Sequence, residues 1–288
     1  MSSAEGVMAE ANGMTDLKQG QPHSARIYDY FLGGKDNYAA DRLAADKIEQ
    51  AIPNVRLVAR ENREFMRRAV GYLGEQGIRQ FVDIGTGIPT EPNLHQVAQE
   101  TACDARVVYV DNDPLVLAHA RALLIGTPEG RTRYIEADVT EPAKILGAPQ
   151  LRETIDFAEP VALSLIALCH FVPGEQMYEI IDTLLEPLAP GSFLVMTHLT
   201  ADLDPEAVQG TVRAYEASGI RMEARTYDGV ARFFSGLQLI EPGIVPIGRW
   251  YPDGTAPDST AVVPLPVTDF GAAPKPPAAG YAAVGRKQ

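Results

Sequence analysis

The strongest chemical signal in the sequence is the run Val82-Asp83-Ile84-Gly85-Thr86-Gly87-Ile88-Pro89-Thr90. It follows a short apolar stretch, Phe81 to Ile84, that reads as a buried strand turning into a helix. Glycines at such a turn let the backbone bend sharply and approach a ligand, at the sheet edge where α/β folds bind ligands. Nicotinamide and flavin enzymes carry G-x-G-x-x-G here, to seat a pyrophosphate on a helix N-terminus. This run is D-x-G-x-G instead. Its third glycine is absent and an acid precedes the first. A carboxylate at Asp83 repels a pyrophosphate but attracts a cationic amino acid group, directly or through water. A second acid, Asp111, ends the next strand, 24 residues past Gly87. A carboxylate there can accept both hydroxyls of a ribose. A third, Asp138, ends the following strand, placed to accept from an adenine amino group. Three acids at three successive strand ends point to S-adenosylmethionine.

Methyl transfer from a sulfonium needs alignment more than it needs a base, although an alcohol or phenol acceptor benefits from one. His170, just past the fourth strand, is the candidate base, with His198 after the fifth strand as the second choice. Cys169 reads as a small buried hydrophobe. Tyr28, Tyr30, Phe31 and Tyr38 crowd around Gly33-Gly34 within eleven residues. These aromatics are expected either to form a lid over the cofactor, hinged at the glycines, or to pack as a fixed helix and turn. Tyr28, Gly33, Asn37 and Tyr38 are its candidate substrate or lid residues. Arg60, Arg63, Arg67 and Arg68 read as a solvated helix face.

Those side chains must be held by regular elements. Two helical patterns, Ala40 to Ile52 and Val55 to Leu73, are separated by Pro53. From Gln80 the rhythm becomes strand and helix in alternation, with strands at 81–84, 106–111, 133–138, 161–167 and 192–197. Asp113-Pro114 caps the helix after the second strand and Gly126 ends it. Leu237 to Ile240 reads as a sixth strand and Gly280 to Arg286 as the last. Such alternation predicts a Rossmann-like, doubly wound, mostly parallel α/β sheet of seven strands with the last antiparallel, plus an N-terminal helical extension. The expected division is a disordered tail over 1–21, a helical or lid segment over 22–78, and the cofactor-binding domain over 79–288. Within that domain, 252–279 reads as a long Pro- and Gly-rich loop.

These motifs resemble the class I S-adenosylmethionine-dependent methyltransferases over about residues 80 to 287. Leu168-Cys169-His170-Phe171-Val172-Pro173 is similar to that family's segment after the fourth strand, and Leu188-Ala189-Pro190-Gly191-Ser192 to its turn before the fifth. The segment Ser24 to Tyr38, with Gly243-Ile244-Val245, resembles more closely an actinobacterial group called the S-adenosyl methyltransferase family, long labelled a domain of unknown function. The resemblance implies the fold and the cofactor, and no defined substrate. It implies that Asp83, Gly85, Thr86 and Gly87 form the cofactor loop and that Asp111 holds the ribose. It further implies Asn112 beside the adenine, Asp138 and Val139 at the adenine edge, and Ala167 and His170 near the sulfonium. Pro89 departs from the pattern, standing where many members have a third glycine.

The bulk numbers fit this reading. The 288 residues are 45% hydrophobic and 22% charged, ordinary globular values. A net charge of −13 opposes association with nucleic acid, so the expected partner is a small-molecule acceptor. Two cysteines make no disulfide framework. No apolar run suits a signal peptide or a membrane span, so the expected address is cytoplasmic, with no membrane and no metal. A homo-oligomer is compatible with the sequence, which sets no oligomeric state. Two other classes share the glycine motif. One is a sensor or scaffold that binds S-adenosylmethionine without turnover. The other is an NAD-dependent oxidoreductase, against which the D-x-G-x-G spacing counts.

Overall fold

The computed structural model describes residues 17–123, 126–252, 254 and 279–288. Most of the expected N-terminal tail and of the 252–279 loop lies outside them. In chain order the chain forms α1 (Ser24–Leu32), α2 (Ala39–Ala51), α3 (Val55–Glu75), β1 (Gln80–Ile84), α4 (Leu94–Thr101), β2 (Arg106–Asp111), α5 (Pro114–Leu123) and β3 (Arg131–Glu136). It continues with α6 (Pro142–Gly147), α7 (Pro149–Arg152), β4 (Ala162–Leu165), a 3-10 turn (Cys169–Phe171), α8 (Gln176–Leu185), β5 (Phe193–Leu199) and α9 (Pro205–Glu216). Then follow α10 (Tyr227–Arg232), β6 (Leu237–Leu239), β7 (Val245–Pro246), a second 3-10 turn (Ile247–Arg249) and β8 (Gly280–Lys287).

The strands order as β3-β2-β1-β4-β5-β8-β6. The first five pair in parallel, and β8 runs antiparallel to β5, β6 and β7. This is the doubly wound sheet expected, with eight strands rather than seven. The extra one is β7, where Val245 and Pro246 pair with Ala282 and Tyr281. It stays short because Pro246 has no N–H to continue a ladder. After β3 the chain crosses back to place β4 on the other side of β1. Ligands bind at such a reversal point, outside the carboxyl ends of the strands.

Alternate residues feed two cores, as strand geometry requires. Val82, Ile84, Val108, Val110, Leu163 and Leu165 pack with Ile145 of α6, Leu151 of α7 and Ile180 and Ile181 of α8. Phe81, Val107, Tyr109 and Val195 face the other way, onto Phe65, Met66 and Leu73 of α3, Val97 of α4 and Trp250. A third cluster joins the N-terminal helices to α9, through Ile27, Phe31, Ala45, Ile48, Tyr215 and Met222. One buried ion pair fastens α1 to the sheet edge. Arg26 and Asp113 are each 1% exposed, and the guanidinium grips both carboxylate oxygens at 2.8 Å. Asp113 also caps α5 by accepting from the Leu115 N–H at 3.0 Å. The N-terminal extension is thereby anchored two residues from Asp111.

Candidate active site

The glycine loop is held from the neighbouring strand. The Gly85 N–H donates to the Val110 carbonyl at 2.8 Å, and the Gly87 N–H donates to Asp111 Oδ2 at 2.8 Å. Gly85 and Gly87 have φ of +75° and +68°, a backbone that side chains rarely adopt, so both glycines are required for the shape. The other Asp111 oxygen accepts from the Asp113 N–H at 2.9 Å. Asp111 is therefore a structural strut as well as a candidate ligand. A carboxylate has about four acceptor sites, so two remain free. Burial pushes its carboxyl above the ordinary range.

The turn corrects one expectation. The strand does not pass directly into a helix, because α4 begins only at Leu94 and Pro89 lies in the intervening loop. No helix N-terminus caps the glycine run, so the feature that seats a pyrophosphate in dinucleotide-binding folds is missing here.

A cleft of about 880 Å³, open mouth included, lies along this edge. Asp83, Gly85, Thr86, Gly87, Asp111 and Asn112 line it, together with Ala137, Val139 and Ala167. His23, Ala25 and Tyr28 of the N-terminal segment and Asn62, Arg63 and Met66 of α3 complete the lining. The Asp83 carboxyl is enclosed by protein, which raises its pKa to about 6, against the opposing pull of the neighbouring Ser164 hydroxyl and Arg63. Asp138 itself is not in the lining. Thr140 donates to its Oδ1 from both N–H and hydroxyl, and Asn112 Nδ2 donates to its Oδ2 at 2.7 Å. Burial pushes this carboxyl up, but those hydrogen bonds outweigh it and hold the pKa below the ordinary value.

A second pocket of about 620 Å³, open mouth included, adjoins the first and shares Tyr28, Asn62, Ala167 and Phe171 with it. Ala167 has a φ of +54°, rare for a residue with a side chain, and its N–H is held by Thr197 Oγ1 at 2.9 Å. His170 lies in the wall of the second pocket. Burial, aided by Arg225, lowers its pKa to about 3, so it is neutral and a weak base. His198 is saturated. Arg225 can only donate, so His198 Nε2 accepts from it at 2.9 Å and Nδ1–H donates to the Leu199 carbonyl at 2.7 Å. Cys169 is fully buried and its thiol is pushed up to about 12.

Of the candidate lid residues, Tyr28 alone lines the cleft, with its hydroxyl donating to the Ala59 carbonyl at 2.9 Å. Gly33, Asn37 and Tyr38 build the corner between α1 and α2. Gly33 ends α1 with a φ of +85°, Asn37 Nδ2 donates to Asp29 Oδ2 at 2.8 Å, and the Tyr38 N–H donates to Asp41 at 2.8 Å. The Tyr38 ring lies under Arg26, 5.1 Å from ring centre to guanidinium.

Three arginines carry more than the sequence reading gave them. Arg63 is on the cleft wall and donates to the Thr90 and Pro92 carbonyls, tying the glycine loop to α3. Arg68 donates to the Trp250 and Ile247 carbonyls, which corrects its reading as solvated. Arg225, 5% exposed, donates to the carbonyls of Cys169, Val172 and Gly174 and so fixes the segment after β4. The available signal for Arg26 was a cation amid the apolar face of Ile27 and Phe31. Asn62, 5% exposed on the inner face of α3, gave no signal beyond a polar residue at a helical core position.

A family model described as S-adenosyl methyltransferase matches residues 10–288. Among solved structures, a DUF574 family protein from Streptomyces avermitilis is 47% identical, with 95% of this chain and 100% of that chain covered and a TM-score of 0.86. A proposed methyltransferase from Thermobifida fusca is 40% identical, covering 94% and 97%, with a TM-score of 0.81. At 14% identity, an O-methyltransferase family protein from Burkholderia thailandensis shares the fold, covering 94% and 65% with a TM-score of 0.50. No curated protein matches the sequence.

Proposed function

Since the chain belongs to the S-adenosyl methyltransferase family, and is thus an S-adenosylmethionine-dependent methyltransferase, we propose that its methyl acceptor is a small molecule seated in the second pocket. The observation that carries this reading is the junction. The cleft bearing the acids meets an apolar pocket at Ala167, so a molecule in each would face the other there. Among the described residues no helix is long and apolar enough to cross a membrane, and no cluster of three or more ligating side chains could hold a metal.

The cleft residues fit the cofactor. Asp111 has free acceptor sites for the ribose hydroxyls, and Ala137 and Val139 offer an apolar bed for the adenine. Asn112, aligned by Asp138, flanks its edge, so Asp138 acts here through Asn112. Asp83 faces the cationic amino group and Arg63 the carboxylate of the methionine part. When bound, S-adenosylmethionine supplies an electrophilic methyl group on a sulfonium. The chain contributes alignment and exclusion of water: Thr197 fixes the Ala167 bend, and Tyr28 and Phe171 close the junction. His170 shapes the wall and takes no proton, since its depressed pKa leaves it a poor base at neutral pH.

Thermal shift tests the cofactor assignment. S-adenosylhomocysteine should raise the melting temperature and NAD should not, because a ligand that binds only the folded state stabilises it. The acceptor assignment is tested by incubating the protein with S-adenosylmethionine and two pools, uncharged aromatic small molecules and tRNA with duplex DNA. Turnover with the nucleic acids and none with the small molecules would overturn it.

A further inference from the structure

Resting on that reading, we propose that the acceptor is an uncharged, weakly basic amine, apolar over most of its surface, whose N–H is received by Asn62 Oδ1 at the junction of the two pockets.

The pocket selects against charge. Phe31, Ile52, Val55, Val58, Tyr215 and Met222 give its wall an apolar face, and among the described residues no Asp, Glu, Lys or Arg lines it. Its two histidines are both neutral. Burying a carboxylate, phosphate or ammonium there without a partner is costly. An aliphatic amine, cationic at neutral pH, is excluded for the same reason.

Asn62 supplies a feature that calls for a partner, as does His170 Nδ1, which is also buried without one on this pocket's wall. Its Nδ2 donates back to the Val58 carbonyl at 3.3 Å, and this sets which end of the amide is oxygen. Oδ1 is then buried with no hydrogen-bond partner. An orphaned buried acceptor costs free energy that a donor on the ligand recovers. Asn62 belongs to both pockets, so the donor it receives sits beside the transferred methyl group.

Among the described residues lining the second pocket none is a competent base, which favours nitrogen over oxygen. A hydroxyl loses its proton on transfer and so benefits from a base, yet an amide oxygen cannot take the proton, His170 is a poor base and His198 is fully engaged. A neutral amine needs no base. Its lone pair forms the N–CH3 bond while the S–CH3 pair stays on sulfur, leaving a neutral thioether. The nitrogen carries the positive charge, its N–H bond to Asn62 strengthens, and the extra proton passes to water after release.

The test uses the full chain saturated with S-adenosylhomocysteine and four probes of one shape: 1-naphthylamine, 1-naphthol, 1-methylnaphthalene and 1-naphthoate. Calorimetry should show 1-naphthylamine binding about 3- to 10-fold more tightly than 1-methylnaphthalene, the worth of one hydrogen bond, and 1-naphthoate not binding. Asn62→Leu, read at saturating S-adenosylhomocysteine, should erase the preference for the amine over the hydrocarbon while still binding 1-methylnaphthalene. Asn62→Asp, which keeps an acceptor oxygen, should restore it. With S-adenosylmethionine, the wild type should convert 1-naphthylamine to its N-methyl product faster than it methylates 1-naphthol. Equal binding of the amine and the hydrocarbon, tight binding of 1-naphthoate, faster methylation of 1-naphthol, or no binding of any probe would each overturn the proposal. Failure of S-adenosylhomocysteine itself to bind would instead overturn the cofactor-site reading beneath it.

Discussion

Replacing Arg26 by methionine should be among the most damaging single changes outside the sheet core. The guanidinium and the Asp113 carboxylate have side-chain exposures of 2% and 0%, and two of its nitrogens donate to both carboxylate oxygens at 2.8 Å. Another bond reaches the Leu17 carbonyl at 2.7 Å. Removal leaves Asp113 ionised and buried, with the Leu115 N–H and the His23 ring, at 3.3 Å, as what remains near it. Breaking a buried pair in this way costs about 3–5 kcal/mol. Against the about 5–15 kcal/mol typical of a domain, that is a large share. Arg26→Met with Asp113→Asn should recover most of it, since asparagine keeps the helix cap and leaves no charge. Urea denaturation of the wild type, the single and the double variant near pH 7 measures this directly. A single variant within about 1 kcal/mol of wild type, or a double variant no better than the single, would refute the reasoning.

Further consequences concern the site and its supports. Because the Asp83 pKa is about 6, affinity for S-adenosylhomocysteine should fall as pH drops through that value, where the carboxylate becomes neutral and loses its pull on the ammonium. Asp83→Asn should bind weakly at every pH yet melt higher without ligand at neutral pH, because the wild type must bury a charge there; calorimetry showing the same wild-type affinity above and below pH 6 would refute this. Arg63→Met should weaken S-adenosylhomocysteine about 10-fold or more, the worth of a charged hydrogen bond, and leave 5′-methylthioadenosine, which lacks the amino acid, unaffected. Equal loss for both ligands would reduce Arg63 to a tie for the glycine loop. Gly34→Ala should cost about 1–3 kcal/mol in a thermal or urea melt, since its Cβ would lie 1.9 Å from Oδ1 of an Asp29 carboxylate that Asn37 and the Asp36 N–H hold through its other oxygen. A neutral effect would show that the corner between α1 and α2 gives way freely.

The elements that the sequence displayed best are those whose pattern is local. Apolar runs located the strands, and Asp113-Pro114 located the start of α5. Asp83, Gly85, Gly87 and Asp111 were visible because a glycine turn and acids at strand ends occupy fixed spacings. What local pattern could not display was pairing across the chain. Arg26 and Asp113 are 87 residues apart, and nothing near either one names the other. Arg63 read as one cation in a charged face because only the tertiary fold turns it toward the cleft. His170 read as a base from its position at a strand end. Its depressed pKa comes from enclosure among Phe171, His198 and Arg225, which no spacing reveals. Asp138 lies two residues past the end of β3 rather than at it, and its side chain is consumed by Thr140 and Asn112.

The central claim, that the acid-lined cleft holds the cofactor with its sulfur at the mouth of the apolar pocket, is tested most directly by a crystal structure with S-adenosylhomocysteine. The predicted result places the ribose hydroxyls on Asp111, the adenine between Asn112 and Val139, and the sulfur beside Ala167, facing Asn62 and the second pocket. A ligand whose ribose avoids Asp111, or whose sulfur faces away from Ala167, would contradict the account.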